Sequence, residues 1–162
     1  MRISSILSAA FMAGVGLCEA SQRPDFMLRI AEGPSDLIDK YVVLREFTEG
    51  EHWVEADDEA GDLYRLDDEQ HLFSKKDNTE DVYGGVLLVY PGSSFKALYF
   101  NKCATSQGFE IQGGRLTFDG EEHWALCDIE GWGKAVSWMK GVVSTPEKCQ
   151  KIAIRWDPVH TL

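Results

Sequence analysis

The sequence predicts an all-β protein, and three observations carry that prediction. Turn signals recur throughout: Glu32–Pro34, Glu49–Gly50, Ala60–Gly61, Gly84–Gly85, Pro91–Gly92, Gly113–Gly114, Asp119–Gly120 and Gly131–Gly133. Short runs rich in Val, Ile, Leu, Tyr, Phe and Trp lie between them, spaced about 8–12 residues apart as in antiparallel sandwiches and barrels. No long stretch holds the 3.6-residue period of an amphipathic helix. The third observation is a weak internal repeat that points to a β-trefoil-like barrel of three four-stranded units, with another antiparallel β-barrel or β-sandwich as the alternative.

The repeat is legible element by element. Three segments run in the order apolar strand, polar glycine-containing turn, aromatic-rich strand: Tyr41–Val54, Val86–Phe100 and Trp124–Trp138. Each is followed, across a polar stretch, by an alternating run: Leu63–Leu66, Gly108–Ile111 and Ile152–Trp156. The spacing from Tyr64 to Phe109 is 45 positions (109 − 64), and from Phe109 to Ala153 it is 44 (153 − 109). Each segment is also preceded by a short run: Met27–Ile30, His71–Ser74 and Arg115–Phe118. One such unit cannot bury its apolar face alone, whereas three around an axis close a barrel and leave no open edges.

The first residues read as a secretory signal. Arg2 precedes an apolar run from Ile6 to about Leu17, small residues follow, and the chain turns polar at Ser21. The run is shorter than the roughly 20 residues a membrane-spanning helix needs. The domain expectation is therefore a signal peptide over 1–20 and one all-β domain over 21–162. Cleavage after Ala20 leaves Cys103, Cys127 and Cys149; cleavage after Gly16 also keeps Cys18 and an even number of thiols. Export implies an oxidising compartment and at least one disulfide.

Composition bounds the partners. With 16 Lys and Arg against 27 Asp and Glu the net charge is −11, which repels nucleic acid and anionic membranes. No Asn-x-Ser/Thr acceptor is present.

The stretch from Gly108 to Ile154 resembles the C-terminal domains of fungal secreted cell-wall proteins of the PhiA and PIR-like kind. The resemblance rests on a Phe-x-Ile strand (Phe109–Ile111), a glycine-leucine hairpin (Gly113–Leu116), an aromatic-x-x-Cys strand (Trp124–Cys127) and a closing Cys149–Ile152 segment. It covers about 47 of the 162 residues, and the glutamine-containing anchoring repeat of the PIR type is missing from the sequence. The resemblance implies a fungal extracellular protein held at or near the wall, with Cys127 and Cys149 as a pair. The residues themselves leave two pairings open. Cys127–Cys149 would tie the polar stretch before the last strand to the barrel, and Cys103–Cys149 would tie equivalent loops of two repeats.

Candidate chemistry is sparse. The cysteines form no Cys-x-x-Cys, so neither a zinc site nor thioredoxin-like redox chemistry is signalled. His52 and His123 each precede a tryptophan and read as structural or surface residues, and no Gly-x-Ser-x-Gly or His-x-x-x-His occurs. The acidic runs Asp57–Asp62 and Asp67–Glu69 lack calcium-loop spacing and read as solvated turns. No catalytic residue, metal or cofactor is therefore expected.

Aromatics offer the functional lead. Trp53, Trp124, Trp138 and Trp156 lie in apolar or alternating runs and are expected in the core. Trp132 stands between two glycines at a turn, with Asp128, Glu130 and Lys134 as neighbouring polar groups. A ring in that setting can stack on a sugar or anchor a protein contact. The expected function is a secreted, non-enzymatic binding or structural protein, effector-like in type. Its partner is cell-wall polysaccharide or an extracellular protein, with no nucleic acid and no membrane after signal cleavage. The alternatives are a trefoil-type proteinase inhibitor presenting Val142–Lys148, and a secreted hydrolase in which His123 or His52 meets an acid.

Overall fold

The computed structural model describes residues 25–59, 61–75, 81–88, 95–103, 106–131, 133–140 and 148–159. The expected signal segment, His160, and most of the Val142–Lys148 stretch lie outside these residues. The described residues form thirteen strands and no helix. In chain order they are β1 (Phe26–Glu32), β2 (Tyr41–Thr48), β3 (Glu51–Asp57), β4 (Tyr64–Leu66), β5 (Leu72–Lys75), β6 (Asp81–Leu88), β7 (Lys96–Asn101), β8 (Phe109–Gln112), β9 (Arg115–Phe118), β10 (Trp124–Ile129), β11 (Gly133–Trp138), β12 (Cys149–Lys151) and β13 (Ala153–Pro158).

Alternation makes the strands. β1 buries Phe26, Leu28 and Ile30 and turns Met27 and Arg29 outward, while β4 buries Tyr64 and Leu66 around Arg65. Turn chemistry sets the hairpins. Gln112 pairs with Arg115, so Gly113 and Gly114 form a two-residue loop with φ of 58° and 83°. Positive φ at both positions is what a type I′ hairpin turn demands, and glycine adopts it without a Cβ penalty.

Gly84–Gly85 reads as a turn in the sequence, but both glycines sit inside β6, opposite Phe100 and Tyr99 of β7. A Cβ on Gly84 would stand 3.0 Å from the Phe100 ring and 3.2 Å from the Leu72 carbonyl. The position is glycine because the ring needs that space, not because the chain reverses there.

The pairings close a barrel. β1, β2, β3, β7, β6, β5 and β4 follow one another round a seven-strand ring, antiparallel at every step. Closure works because β1 divides one edge. Phe26 pairs with Tyr64 of β4 and Arg29 with Tyr41 of β2, while β13 takes the other edge. The remaining strands extend the sheet: β13 pairs β9, β9 pairs β8, β10 pairs β11 and β12, and β11 pairs β7. The Phe109 N–H donates to the Gln70 carbonyl at 3.0 Å and brings β8 back beside the start of β5.

One apolar cluster fills the interior, with Leu28, Tyr64, Leu72, Phe100, Phe109, Leu116, Trp124 and Ile154 among its members. Its polar atoms find partners. The Tyr64 hydroxyl donates to the Val42 carbonyl at 2.9 Å, and the Trp124 indole N–H to the Leu116 carbonyl at 2.8 Å. Burial, with the nearby Asp62 charge, pushes the Tyr64 phenol well above its ordinary pKa. A second cluster of smaller residues lies on the other face of β7, β10, β11 and β12: Phe95, Ala97, Ala125, Cys127, Ile129, Ala135, Met139 and Cys149.

Candidate functional site

The β10–β11 hairpin holds the residues expected to bind. Its ladder runs from Trp124 opposite Trp138 to Asp128 opposite Lys134 and Ile129 opposite Gly133. Cross-strand neighbours share a face, so Asp128 and Lys134 stand side by side, and both are exposed. Glu130 follows at the turn, also exposed. Gly131 and Gly133 have φ of 83° and 81°, and a Cβ on either would meet nothing within 4 Å. Trp132 between them lies outside the described residues. The structure thus brings Asp128, Glu130 and Lys134 to one hairpin end.

The base of this hairpin is pinned. Cys127 lies directly opposite Cys149 of β12, and the two form a disulfide. Their Cα atoms are 4.0 Å apart, and Cys103 is an exposed free thiol. Of the two pairings left open above, the structure takes Cys127–Cys149. Cys149 does not sit in an irregular polar stretch as read from the sequence. It opens β12, where the ladder holds it against β10. The Asp128 N–H donates to the Lys148 carbonyl at 2.8 Å and continues that contact toward the tip.

The tryptophans divide. Trp124 and Trp138 are buried in the interior, and Trp156 packs partly buried against it, as expected. Trp53 instead points to the outer face, half-buried against the second cluster. Its indole N–H donates to Glu55 at 2.5 Å, and its ring stacks on Phe47 with centroids 5.1 Å apart. Phe47 is the additional residue of a bulge between the Glu46–His52 and Thr48–Glu51 pairs, and its side chain is 36% exposed. Sequence reasoning missed this pair because the register shift that turns Phe47 onto Trp53 leaves no mark in the alternation.

The histidines form two acid contacts. His123 Nε2 lies 2.6 Å from Glu121, with both side chains nearly half exposed. His71 Nδ1 lies 2.9 Å from Asp67. Burial raises the Asp67 carboxyl, but the His71 and Glu69 backbone N–H groups and the His71 ring outweigh it and hold the group below its ordinary value. His52 is buried in β3.

Two of the surface cavities are lined entirely by described residues. One of about 320 Å³ is lined by Glu32, Gly33, Arg115, Glu122, Lys151, Ile152 and Ala153. Arg115 spans it, bonded to Glu32 and, at 3.1 Å, to Glu122. That contact holds Glu32 below the usual carboxylate range. With its guanidinium already committed to two carboxylates, this site ties β1 to β9. The other, of about 240 Å³, is lined by Val43, Leu44, Arg45, Asp57, Glu59, Gly61 and Asp62. Among the described residues no cluster of three or more His, Cys, Asp or Glu is arranged to hold a metal ion.

Comparison with known proteins gives no family: no protein-family model, curated protein or solved structure matches the chain.

Proposed function

We propose that this chain is a secreted, non-enzymatic binding protein built on a β-trefoil, and that it recognises cell-wall polysaccharide through its hairpin ends. Three hairpins, β2–β3, β6–β7 and β10–β11, support the trefoil reading: β3 pairs β7, β7 pairs β11, and β11 lies against β3. The six strands that flank them run in the pairing order β5, β4, β1, β13, β9, β8. The Phe109–Gln70 bond links the two ends of that path.

The observation that carries the functional reading is the β10–β11 hairpin. A disulfide and paired strands fix its base, its tip carries Gly131 and Gly133 with open space around them, and Asp128, Glu130 and Lys134 supply acceptors and a donor within a few positions of Trp132 in the sequence. A hairpin held at its base by a disulfide and paired strands suits sugar recognition, because less ordering cost is left for the moment of binding. The buried disulfide is consistent with an oxidising, extracellular setting, and the resemblance to fungal wall proteins points to the same place.

The test is co-sedimentation of the protein with insoluble chitin, β-glucan and mannan, alongside Trp132→Ala. The expected result is that the parent pellets with one polymer and the variant stays in solution. If the parent pellets with none of them, carbohydrate recognition is the wrong reading.

A further inference from the structure

We propose that the outer face of the β2–β3 hairpin is a second saccharide site, formed by the Phe47–Trp53 stack and the Arg45–Glu55–Asp57 cluster, for a neutral, gluco-configured chain. This rests on the carbohydrate reading and goes beyond it by placing a site on a different hairpin and naming the sugar class.

Register puts these groups on one surface. Arg45 lies opposite Trp53, which lies opposite Tyr99 of β7; Tyr41 lies opposite Asp57. Directly opposed residues share a face, and so do residues two apart along a strand. Trp53, Glu55 and Asp57 therefore form one row on β3, with Arg45 alongside on β2.

The two ends of the row differ in chemistry. At the hairpin end Phe47 stacks on Trp53 and keeps 36% of its surface in solvent. Trp53 is backed by the second apolar cluster, so the pair is a supported aromatic surface, not a loose ring. Further along, Arg45 bonds Asp57 and lies 3.6 Å from Glu55. This end opens into the 240 Å³ cavity that Arg45 and Asp57 line with Asp62. From Trp53 to Asp57 is four residues of strand, roughly 13 Å, a length that accommodates a short oligosaccharide.

Each feature selects the ligand. An aromatic surface takes a pyranose face made of axial C–H bonds, and the all-equatorial gluco ring presents such bonds on both of its faces. Carboxylate oxygens and the Arg45 N–H groups left over from its contacts with Asp57 and Glu55 supply acceptors and donors for neighbouring hydroxyls at the ring's edge. Asp57 remains ionised to do so: the Glu59 N–H outweighs burial and, with Arg45, holds its carboxyl below the ordinary value. Charge selects against acidic sugars. Residues 40–62 carry eight carboxylates against Lys40 and Arg45 as the only cations, so a uronic acid chain is repelled. β-Glucan and chitin share the required ring geometry, and the polymer arms of the test separate them.

The test is depletion binding of the full chain to β-glucan, chitin and mannan at low and high salt. It compares the parent with Phe47→Ala, Phe47→Trp and Trp132→Ala, after circular dichroism has shown all four folded. Phe47 is exposed at a bulge, so its removal is expected to leave the fold intact. The expected result is salt-insensitive binding to β-glucan or chitin, about tenfold weaker in Phe47→Ala and restored in Phe47→Trp. Binding unchanged in Phe47→Ala overturns this site, and if Trp132→Ala still weakens it, the carbohydrate reading survives. Binding abolished by high salt overturns the neutral-sugar assignment and marks attraction to a cationic partner. A parent that binds none of the polymers removes both readings together.

Discussion

Trp124 and Trp53 occupy the interior and the outer face of the same sheet, and their surroundings differ in every respect that matters for function. Trp124 is 0% exposed, lies near Phe109 and Trp138, and gives its indole N–H to the Leu116 backbone carbonyl. Trp53 is half-buried, packs against the outer cluster that holds Phe95, Ala97, Ala125 and Met139, and gives its N–H to the Glu55 side chain. A backbone carbonyl inside a barrel has no other partner to turn to, so that contact is purely structural. A surface carboxylate can exchange one donor for another at small cost, so Trp53 and its neighbours can rearrange around a hydroxyl without disturbing the core. Residue type is the same in both places; the acceptor of the indole N–H separates a ring locked into the interior from the ring proposed to bind.

The largest expected effect comes from exchanging the two rings for alanine. Trp124→Ala is expected to cost about 3–5 kcal/mol, since it opens a cavity at a fully buried position and leaves the Leu116 carbonyl without its donor. Trp53→Ala is expected to cost less than half of that. Urea unfolding of both variants measures the difference, and equal losses would erase the distinction between the faces.

A smaller effect is expected from the covalent tie of the outer face. Replacing Cys127 and Cys149 together by alanine opens a ring of sequence separation 22. The chain-entropy model gives about 3 kcal/mol for a ring of that size. The same loss on reduction of the parent would show that the bridge, and not the packing of the sulfur atoms, carries the effect.

The smallest effect belongs to the charged surface. The folded-state pKa of Asp67 is lowered, so its contribution is fully present above the ordinary carboxylate value near 4 and is lost as pH falls through the folded value. The group is about a third exposed, which limits the contribution to about 0.2–1 kcal/mol. Asp67→Asn is expected to flatten the acid limb of a stability–pH curve by that amount and to leave Trp53 fluorescence unchanged. A larger shift would mean that the surface pair is coupled to the interior.

The strands were legible where their signals are local. All twelve runs expected from alternation and turn residues correspond to strands, most within a residue or two at each end, and Gly113–Gly114 forms the turn its composition predicts. The misreadings are non-local. Gly84–Gly85 carries the composition of a turn, but its reason is a ring from the neighbouring strand. β12 has no alternation of its own; the strand exists because Cys149, Gln150 and Lys151 pair with Cys127, Leu126 and Ala125. Of the expected binding residues, Asp128, Glu130 and Lys134 do meet at one hairpin end, because cross-strand distance within a hairpin is fixed by its short turn. Phe47 escaped notice and Trp53 was expected in the core, because a bulge decides their contact on the outer face.

The sequence by itself determined the all-β class, the order of the runs, the acidic surface and the short list of cysteines that could pair. These follow from side-chain pattern and turn chemistry, which act over a few residues. Tertiary structure alone decided which strands close the barrel, which cysteine Cys149 joins, and that Trp53 lies on the outer face. Each of these depends on segments far apart in the chain, whose approach is set by how well whole faces pack together and not by any residue's preference.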